Sequence, residues 1–145
     1  MSKPILCLDF DGVIHSYTSG WKGVAAIPDP LVPGAIDAML AYLDAGFQVA
    51  IFSSRSKSFR GRWAMKRWLA ARIGDHWAGG GSSPSYVGVE CMGDARSAVH
   101  RFRWPWFKPA ALMTIDDRAL TFNGNWKSPE YDAKAIRAFK PWNKR

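Results

Sequence analysis

Residues 5–12, Ile-Leu-Cys-Leu-Asp-Phe-Asp-Gly, are the stretch from which the fold is predicted. The apolar run predicts a buried β-strand, which we place at Ile5–Phe10. Two acids, Asp9 and Asp11, stand at its end, and the glycine after them lets the backbone turn away. In open α/β proteins, sites form at the carboxyl ends of parallel strands. The stretch therefore predicts a strand that delivers two carboxylates to the functional edge of a sheet.

Apolar strand patterns alternate with helical patterns along the rest of the chain. Further strands are predicted at Phe47–Phe52, Tyr86–Glu90 and Ala110–Ile115, with one more edge strand at Ala119–Phe122. Helices are predicted at Gly34–Ala45, at Ser58–Ile73 and from Ser128 to about Phe139. Residues 97–103 fit either a strand or a helix. This alternation predicts an α/β fold with a Rossmann-like, mainly parallel sheet flanked by helices.

The chain length and composition favour a single domain over residues 1–145. Hydrophobic residues make up 48% and charged residues 22%, which is ordinary for a globular protein. No apolar stretch approaches the roughly 18 residues of a membrane span, and no signal-peptide pattern is present, so we expect a cytoplasmic protein with no membrane partner. Residues 13–33, rich in glycine, proline and serine, predict a loop over the acidic pair rather than a folded cap. Cys7 and Cys91 are predicted to be buried thiols in a reducing compartment.

The formal net charge of +8 favours phosphorylated or polyanionic partners. Eight tryptophans are present, and several stand next to basic residues, for example at Arg62-Trp63 and Trp106-Phe107-Lys108. Basic side chains interleaved with aromatic rings are able to hold nucleic-acid phosphates and stack bases. The alternative, which we favour from the sequence, is that the tryptophans are core anchors in a small protein.

Acids and a hydroxyl group follow the predicted strands, and an ammonium group precedes the last of them. Their positions are Asp9 and Asp11, Ser53, Asp116 and Asp117, with Lys108 just before the last strand. Carboxylates gathered without histidine or cysteine suit a hard cation, and Mg²⁺ is the expected ion because it binds carboxylates, waters and substrate phosphate. Phosphoryl transfer needs such positive groups, an in-line nucleophile and an acid for the leaving oxygen.

From Ile5 to Arg118 the chain resembles the haloacid dehalogenase superfamily of aspartate-nucleophile phosphatases. Its four motifs have counterparts in order: residues 9–12, Val49–Ser53, Lys108, and the pair Asp116-Asp117. The resemblance implies that Asp9 is the nucleophile and a metal ligand, and that Asp11 is the general acid and base as well as a metal ligand. It implies further that Ser53, or its neighbour Ser54, binds a phosphoryl oxygen. Lys108 would be the motif lysine, although Lys57 or Lys66 would suit the same pocket, and Asp116 would be the favoured magnesium ligand beside Asp117.

More narrowly, residues 11–15, 108–109 and 115–119 resemble small phage and bacterial members of this superfamily. The resemblance places Gly12, His15, Ser54 and Arg55 beside the substrate. Arg55 would bind phosphate or neutralise the acids, whereas Arg118 is expected to form a structural ion pair.

The sequence therefore predicts a Mg²⁺-dependent phosphomonoester hydrolase that acts on a small phosphorylated metabolite or nucleotide. Two alternatives stay open. One is a nucleic-acid end-processing phosphatase, such as one acting on 3′-phosphates. The other is a nucleotide- or phosphate-binding module that keeps the fold without catalysis.

Overall fold

Three short parallel strands form the centre of the computed structural model, which describes residues 2–79 and 89–145. They are β1 (Ile5–Leu8), β2 (Gln48–Ile51) and β3 (Met113–Ile115), in the order β2-β1-β3. In the register, Leu8 of β1 lies between Ile51 of β2 and Ile115 of β3. The prediction of a mainly parallel sheet in a mixed α/β fold is confirmed, and the carboxyl ends of all three strands meet at one edge.

All three strands are shorter than predicted: β1 ends at Leu8, β2 covers only Gln48–Ile51, and β3 begins at Met113. Leu6, Cys7 and Leu8 are buried, and the last ladder bonds are from Phe52 N to Leu8 O and from Asp9 N to Ile115 O, both 3.0 Å. Phe10 was predicted to end β1, but it lies beyond the sheet and is fully buried in the core.

The described part of the chain contains four α-helices. They are α1 (Ala35–Asp44), α2 (Phe59–Ala78), α3 (Val89–Val99) and α4 (Ala133–Ala138). Short 3-10 helices cover Ser54–Lys57, Pro129–Tyr131 and Trp142–Lys144. Ser58 caps α2, since its hydroxyl accepts a hydrogen bond from Gly61 N at 3.3 Å. The helix passes through Gly74, where we had expected it to end, and continues to Ala78, because one interior glycine weakens a helix without stopping it.

Several boundaries in the second half of the chain differ from the predictions. Val89 and Glu90 begin α3 rather than end a strand, and the rest of the predicted strand lies outside the described residues. Residues 97–103 are helical to Val99, and Arg103 then adds a single parallel bridge beside Ala50 of β2. Residues 119–122 form no strand. The helix predicted from Ser128 is split between the short 3-10 helix and α4.

The core lies between the sheet and helices α1, α2 and α3. Its members share exposures of 8% or less and include Phe10, Ile36, Val49, Ile51, Met65, Leu69 and Phe102. Cys7 is buried as predicted, and burial raises the pKa of its thiol. After Trp104 no residue is buried as a whole, although the Asp117 side chain is, and the segment after β3 lies over the surface. None of the described helices is long and apolar enough to cross a membrane.

The tryptophans only partly follow the core-anchor interpretation. Trp104 is 8% exposed, and Trp68 and Trp77 pack against the core. The other five have between 41% and 76% of their surface exposed: Trp21, Trp63, Trp106, Trp126 and Trp142. Core packing therefore does not explain most of the tryptophan content.

Candidate active site

A cavity of about 360 Å³ opens at the carboxyl ends of the three strands. The predicted residues that line it are Asp9, Asp11, Ser53, Ser54, Lys108 and Asp116. Other described lining residues are Cys7, Thr114 and Arg118, together with the aromatic side chains of Tyr17, Trp21 and Phe52. Residues separated by up to about a hundred positions in the sequence therefore meet at one site, as the strand-end argument predicts.

Three carboxylates form a cluster at this edge. One oxygen from each of Asp9, Asp116 and Asp117 lies within 4.8 Å of the others. The Asp117 side chain is only 1% exposed, and neither of its oxygens has a hydrogen-bond partner in the described structure. The nearest ion-pair partner is Arg118, with Nε 3.7 Å from Oδ2. A buried carboxylate without hydrogen bonds is costly, so either a proton or a cation would stabilise this cluster.

The surroundings of Asp9 likewise disfavour its negative charge. Burial, followed by the negative charges of Asp116, Asp117 and Asp11, raises the pKa of Asp9 to about 7, against a stabilising hydrogen bond from Phe10 N at 2.8 Å. Burial also raises the pKa of Asp117. An all-oxygen set of carboxylates matches the preference of Mg²⁺. Asp9, Asp116 and Asp117 therefore suit a divalent cation by donor chemistry and because the Asp117 oxygens accept no hydrogen bond.

Gly12 makes room for the buried carboxylate. Its backbone has a φ of +85°, and a Cβ at this position would stand 2.1 Å from Asp117 Oδ2. Only glycine suits both the left-handed backbone and this approach. Gly12 was predicted to contact substrate, but it packs against Asp117 and is not among the described lining residues of the cavity.

Asp11 is held in a network separate from the carboxylate cluster. Arg55 donates from Nε to Oδ2 at 2.9 Å and from Nη2 to Oδ1 at 3.1 Å. His15 Nδ1 lies 2.8 Å from Oδ1, while its Nε2 accepts from Asp29 N at 3.0 Å, so we assign the ring proton to Nδ1. Burial favours a higher pKa for Asp11, but the hydrogen bonds from His15 and Arg55 and the Arg55 charge outweigh it and lower the pKa.

This network bears on three of the predicted roles. Asp11 stays a predicted metal ligand, and in this structure its oxygens accept hydrogen bonds from Arg55 and His15. Of the two roles predicted for Arg55, the contact with Asp11 agrees with neutralisation of the acids, and both Arg55 and His15 are completely buried. Arg55 also donates from Nη1 to the carbonyls of Gly23 and Val24, each at 2.8 Å. It thus joins Asp11 to the loop over the site.

The predicted phosphate-binding side chains reach the cavity from two elements. Ser53 follows β2 and caps the 3-10 helix after it, since its hydroxyl accepts from Arg55 N at 3.0 Å. Ser54 is exposed and lines the cavity too, so both serines stay candidates. Lys108 is exposed and lines the cavity, whereas Lys57 and Lys66 are not among the described lining residues. This placement favours Lys108 as the site lysine.

Sequence reasoning missed the C-terminal residues that hold the loop of the site. Trp142 Nε1 donates to Gly12 O at 2.7 Å, Asn143 Nδ2 to Ser16 O at 2.8 Å, and Lys144 Nζ to Thr18 O at 2.8 Å. Nothing in the local sequence pattern relates residues 130 positions apart. The last 3-10 helix therefore fixes the backbone at the glycine that faces Asp117.

Comparison with protein-family models, curated proteins and solved structures finds no significant match to the chain. The chemistry is therefore argued from the site itself. The carboxylate cluster has a geometry that could hold a cation, and Lys108 and the two serines bring a positive charge and hydroxyl donors to the same cavity. Together these groups suit a phosphate ester whose charge is shared between a metal ion and the protein.

Proposed function

We propose that this protein is a Mg²⁺-dependent phosphomonoester hydrolase of the haloacid dehalogenase type. The observation that carries the proposal is the buried Asp117 carboxylate, without a hydrogen-bond partner, beside Asp9 and Asp116. The strand order β2-β1-β3, with acids after β1 and β3 and a serine after β2, is consistent with the Rossmann-like fold of that superfamily.

In this proposal Asp9, Asp116 and Asp117 hold the metal ion. When bound, Mg²⁺ would supply positive charge to the clustered carboxylates and to the phosphoryl oxygens. Asp9 attacks phosphorus in line, a bond forms between its carboxylate oxygen and phosphorus, and the bond to the leaving oxygen breaks. The electron pair leaves with that oxygen. Water then hydrolyses the aspartyl-phosphate and releases inorganic phosphate and free Asp9.

Two kinds of side chain hold the phosphoryl group while its charge changes. Lys108 provides an ammonium charge, and Ser53 or Ser54 donates a hydroxyl hydrogen bond. Ser53 has only a weak acceptor for its own proton, Met65 Sδ at 3.7 Å, so this donor is available to a phosphoryl oxygen. Fixed donors aimed at developing charge supply a large share of catalysis in such sites.

Asp11 is better arranged as a base than as an acid. Arg55 and His15 favour its carboxylate form, which accepts a proton from the water that attacks the aspartyl-phosphate. Donation to the leaving oxygen requires the acid form, which the same two residues disfavour. We therefore expect hydrolysis to be faster for esters with good leaving groups, such as aryl phosphates, than for alkyl phosphates. Equal rates for matched aryl and alkyl esters would argue against this role of Asp11.

The cavity volume and its aromatic walls support a small phosphorylated metabolite or a nucleotide as substrate. Tyr17, Trp21 and Phe52 line the cavity beside the phosphate-binding groups. Flat apolar faces next to a phosphate site suit a base or another planar group. A nucleic-acid end-processing phosphatase is the second candidate, favoured by the exposed aromatic and basic side chains next to this cavity.

Phosphate release from an aryl phosphate and from mononucleotides, with and without Mg²⁺, tests the proposal. The wild type is expected to be active only with Mg²⁺, and Asp9→Asn to lose at least about 10³-fold in rate. Asp94→Asn, an exposed acid on α3, is the matched control and is expected to keep full activity. Acid quenching during turnover is expected to trap a phosphorylated peptide that contains Asp9.

Hydrolysis by Asp9→Asn within tenfold of the wild-type rate would exclude the covalent mechanism. Mononucleotide binding with no turnover of any ester would instead identify a non-catalytic binding module. Full activity in metal-free protein would contradict the role of the carboxylate cluster.

A further inference from the structure

Aromatic and basic side chains share one face of α2. Phe59, Arg62, Trp63, Lys66 and Arg67 follow the spacing of one helix face. Phe59 is 76% exposed and Trp63 is 54% exposed. This face therefore presents rings and cations to solvent instead of packing them into the core.

Contacts between rings and cations organise this face. The Arg62 guanidinium lies over the Trp106 ring at 4.0 Å, and Arg62 Nε donates to Trp104 O at 3.1 Å. Phe59 stacks beside Trp106 at 6.5 Å between ring centres, and Arg67 lies over the Trp63 ring at 5.1 Å. We call Phe59, Arg62, Trp63, Lys66, Arg67 and Trp106 the α2 band. Within the described residues, no carboxylate forms an ion pair with any of its cations.

A groove of about 600 Å³ runs between the α2 band and the end of α3. Trp63, Lys66 and Arg67 line one side, and Arg96 and His100 line the other. The described lining residues include no carboxylate, so the groove has an uncompensated positive charge. Burial and the charge of Arg62 lower the pKa of Lys66, as expected where cations crowd together. Such a groove favours a polyanion.

The α2 band begins next to the proposed active site. Trp106 belongs to the band, and Lys108, two residues further along the chain, lines the cavity with the carboxylate cluster. Two residues span at most about 7 Å. A chain of phosphates that starts at the cavity is therefore able to continue over Trp106 and along the groove.

We propose that the α2 band and its groove bind single-stranded nucleic acid. Lys66, Arg67 and Arg96 hold backbone phosphates, and the exposed rings of Phe59 and Trp63 stack bases. Unpaired bases offer free faces to these rings, whereas bases in a duplex are already stacked on each other. The binding surface is independent of hydrolysis. With the proposed activity, it would present the terminal phosphate of a strand to the cavity.

Fluorescence anisotropy with a labelled oligothymidylate tests this surface. The probe has about 12 nucleotides, within the usual site size, and carries no terminal phosphate, so the result does not depend on the proposed hydrolysis. Binding is measured without divalent ions between roughly 50 and 200 mM salt. Three phosphate contacts, at Lys66, Arg67 and Arg96, predict that the logarithm of affinity falls with the logarithm of salt with a slope of about −2.

Two substitutions in the α2 band separate charge from stacking. The double variant Lys66→Gln/Arg67→Gln is expected to make the slope shallower by about 1.4, since each contact contributes about 0.7. Trp63→Ala is expected to weaken binding about tenfold at every salt concentration, and Trp63→Phe to retain most of the affinity. All these side chains are at the surface, and the thermal unfolding midpoint of each variant checks that the fold is kept.

Matched controls come from the C-terminal segment. Lys134→Gln/Arg137→Gln removes two charges from exposed residues of α4, and Trp126→Ala removes a ring that is 76% exposed. Both are expected to leave affinity and slope nearly unchanged. The proposal is overturned if the wild type does not bind at the lowest salt, or if the control variants weaken binding as much as the band variants. Equally tight binding of a duplex, unaffected by Trp63→Ala, would overturn it as well.

Discussion

Asp117→Asn is predicted to stabilise the metal-free protein and to remove its stabilisation by Mg²⁺. The substitution keeps the shape of the side chain and removes one negative charge from the carboxylate cluster. Two ionised carboxylates 4.8 Å apart repel by about 3.5 kcal/mol at an effective dielectric constant of about 20. Arg118 beside Asp117 and the exposure of Asp116 reduce this repulsion, so we expect a gain of about 2 kcal/mol at pH 8. For a chain of this length that gain raises the unfolding midpoint by about 6 °C.

The gain is predicted to depend on pH through Asp9. The folded-state pKa of Asp9 is about 7, above its ordinary value of 3.8, so the folded protein binds the extra proton. Its contribution to stability is therefore present at low pH and is lost as the pH rises through about 7. At pH 5 Asp9 is protonated and repels Asp117 little. The advantage of Asp117→Asn over the wild type should consequently shrink between pH 8 and pH 5.

Magnesium is predicted to make the wild type more stable than Asp117→Asn, the reverse of their order without metal. An ion at about 100 times its dissociation constant stabilises a protein by about 2.7 kcal/mol. We expect Mg²⁺ to stabilise the wild type by this amount and to stabilise Asp117→Asn much less. Thermal unfolding followed by circular dichroism, with EDTA or with Mg²⁺, measures both effects, and Asp94→Asn controls for removal of a surface charge. A wild type that does not respond to Mg²⁺, or an Asp117→Asn variant less stable than the wild type in EDTA at pH 8, would refute the cation site.

Three further substitutions test the residues around the cluster. Gly12→Ala is expected to weaken Mg²⁺ binding at least about tenfold in calorimetric titration, because the new Cβ displaces Asp117. Gly20→Ala is the control: Gly20 also has a positive φ, +77°, but no neighbour lies within 4 Å, so this variant has only the backbone strain and should bind Mg²⁺ normally. Arg55→Met is expected to cost about 3 to 5 kcal/mol of unfolding free energy in denaturant titration, because it removes the only permanent positive charge paired with the Asp11 carboxylate in the described structure and leaves His15 alone as its side-chain partner. A cost below about 1 kcal/mol would contradict the pairing of Arg55 with Asp11. Trp142→Phe removes one hydrogen bond and is expected to cost about 1 kcal/mol, measured in the same titration, and an unchanged midpoint would argue that the C-terminal contact is not formed in solution.

The edge on which the site forms was predictable from the sequence because it depends on local pattern. An apolar run that ends in polar residues predicts a buried strand and its carboxyl end, and parallel strands place those ends together. Asp9, Ser53 and Asp116 all line the cavity for this reason. Lys108 was the least specific of the predicted residues, and the position of its side chain could be known only from the folded chain.

The partners of the buried charges were not predictable because they depend on contacts between distant residues. Arg55 pairs with Asp11 across 44 positions, and no pattern distinguishes this pairing from a phosphate contact. The same holds for Gly12 against Asp117, where glycine was assigned a role in a turn but not the space for a carboxylate. Strand ends and the course of α2 through Gly74 were also misjudged, since packing overrides local propensity.

The two acids of the first motif, Asp9 and Asp11, differ in the groups that neutralise them. This difference gives them different roles in the proposed mechanism. Asp11 has a permanent counter-charge in Arg55, so it stays a carboxylate and is able to accept a proton. Within the described residues no ion pair involves Asp9: burial and three further carboxylates, Asp116, Asp117 and Asp11, raise its pKa to about 7, so near neutral pH it holds a proton about half of the time. A nucleophile must be ionised, and only a bound cation offsets the surrounding negative charge. In the proposed mechanism a metal ion and a proton would therefore compete for Asp9, and the ion that completes the site would also make Asp9 available as the nucleophile.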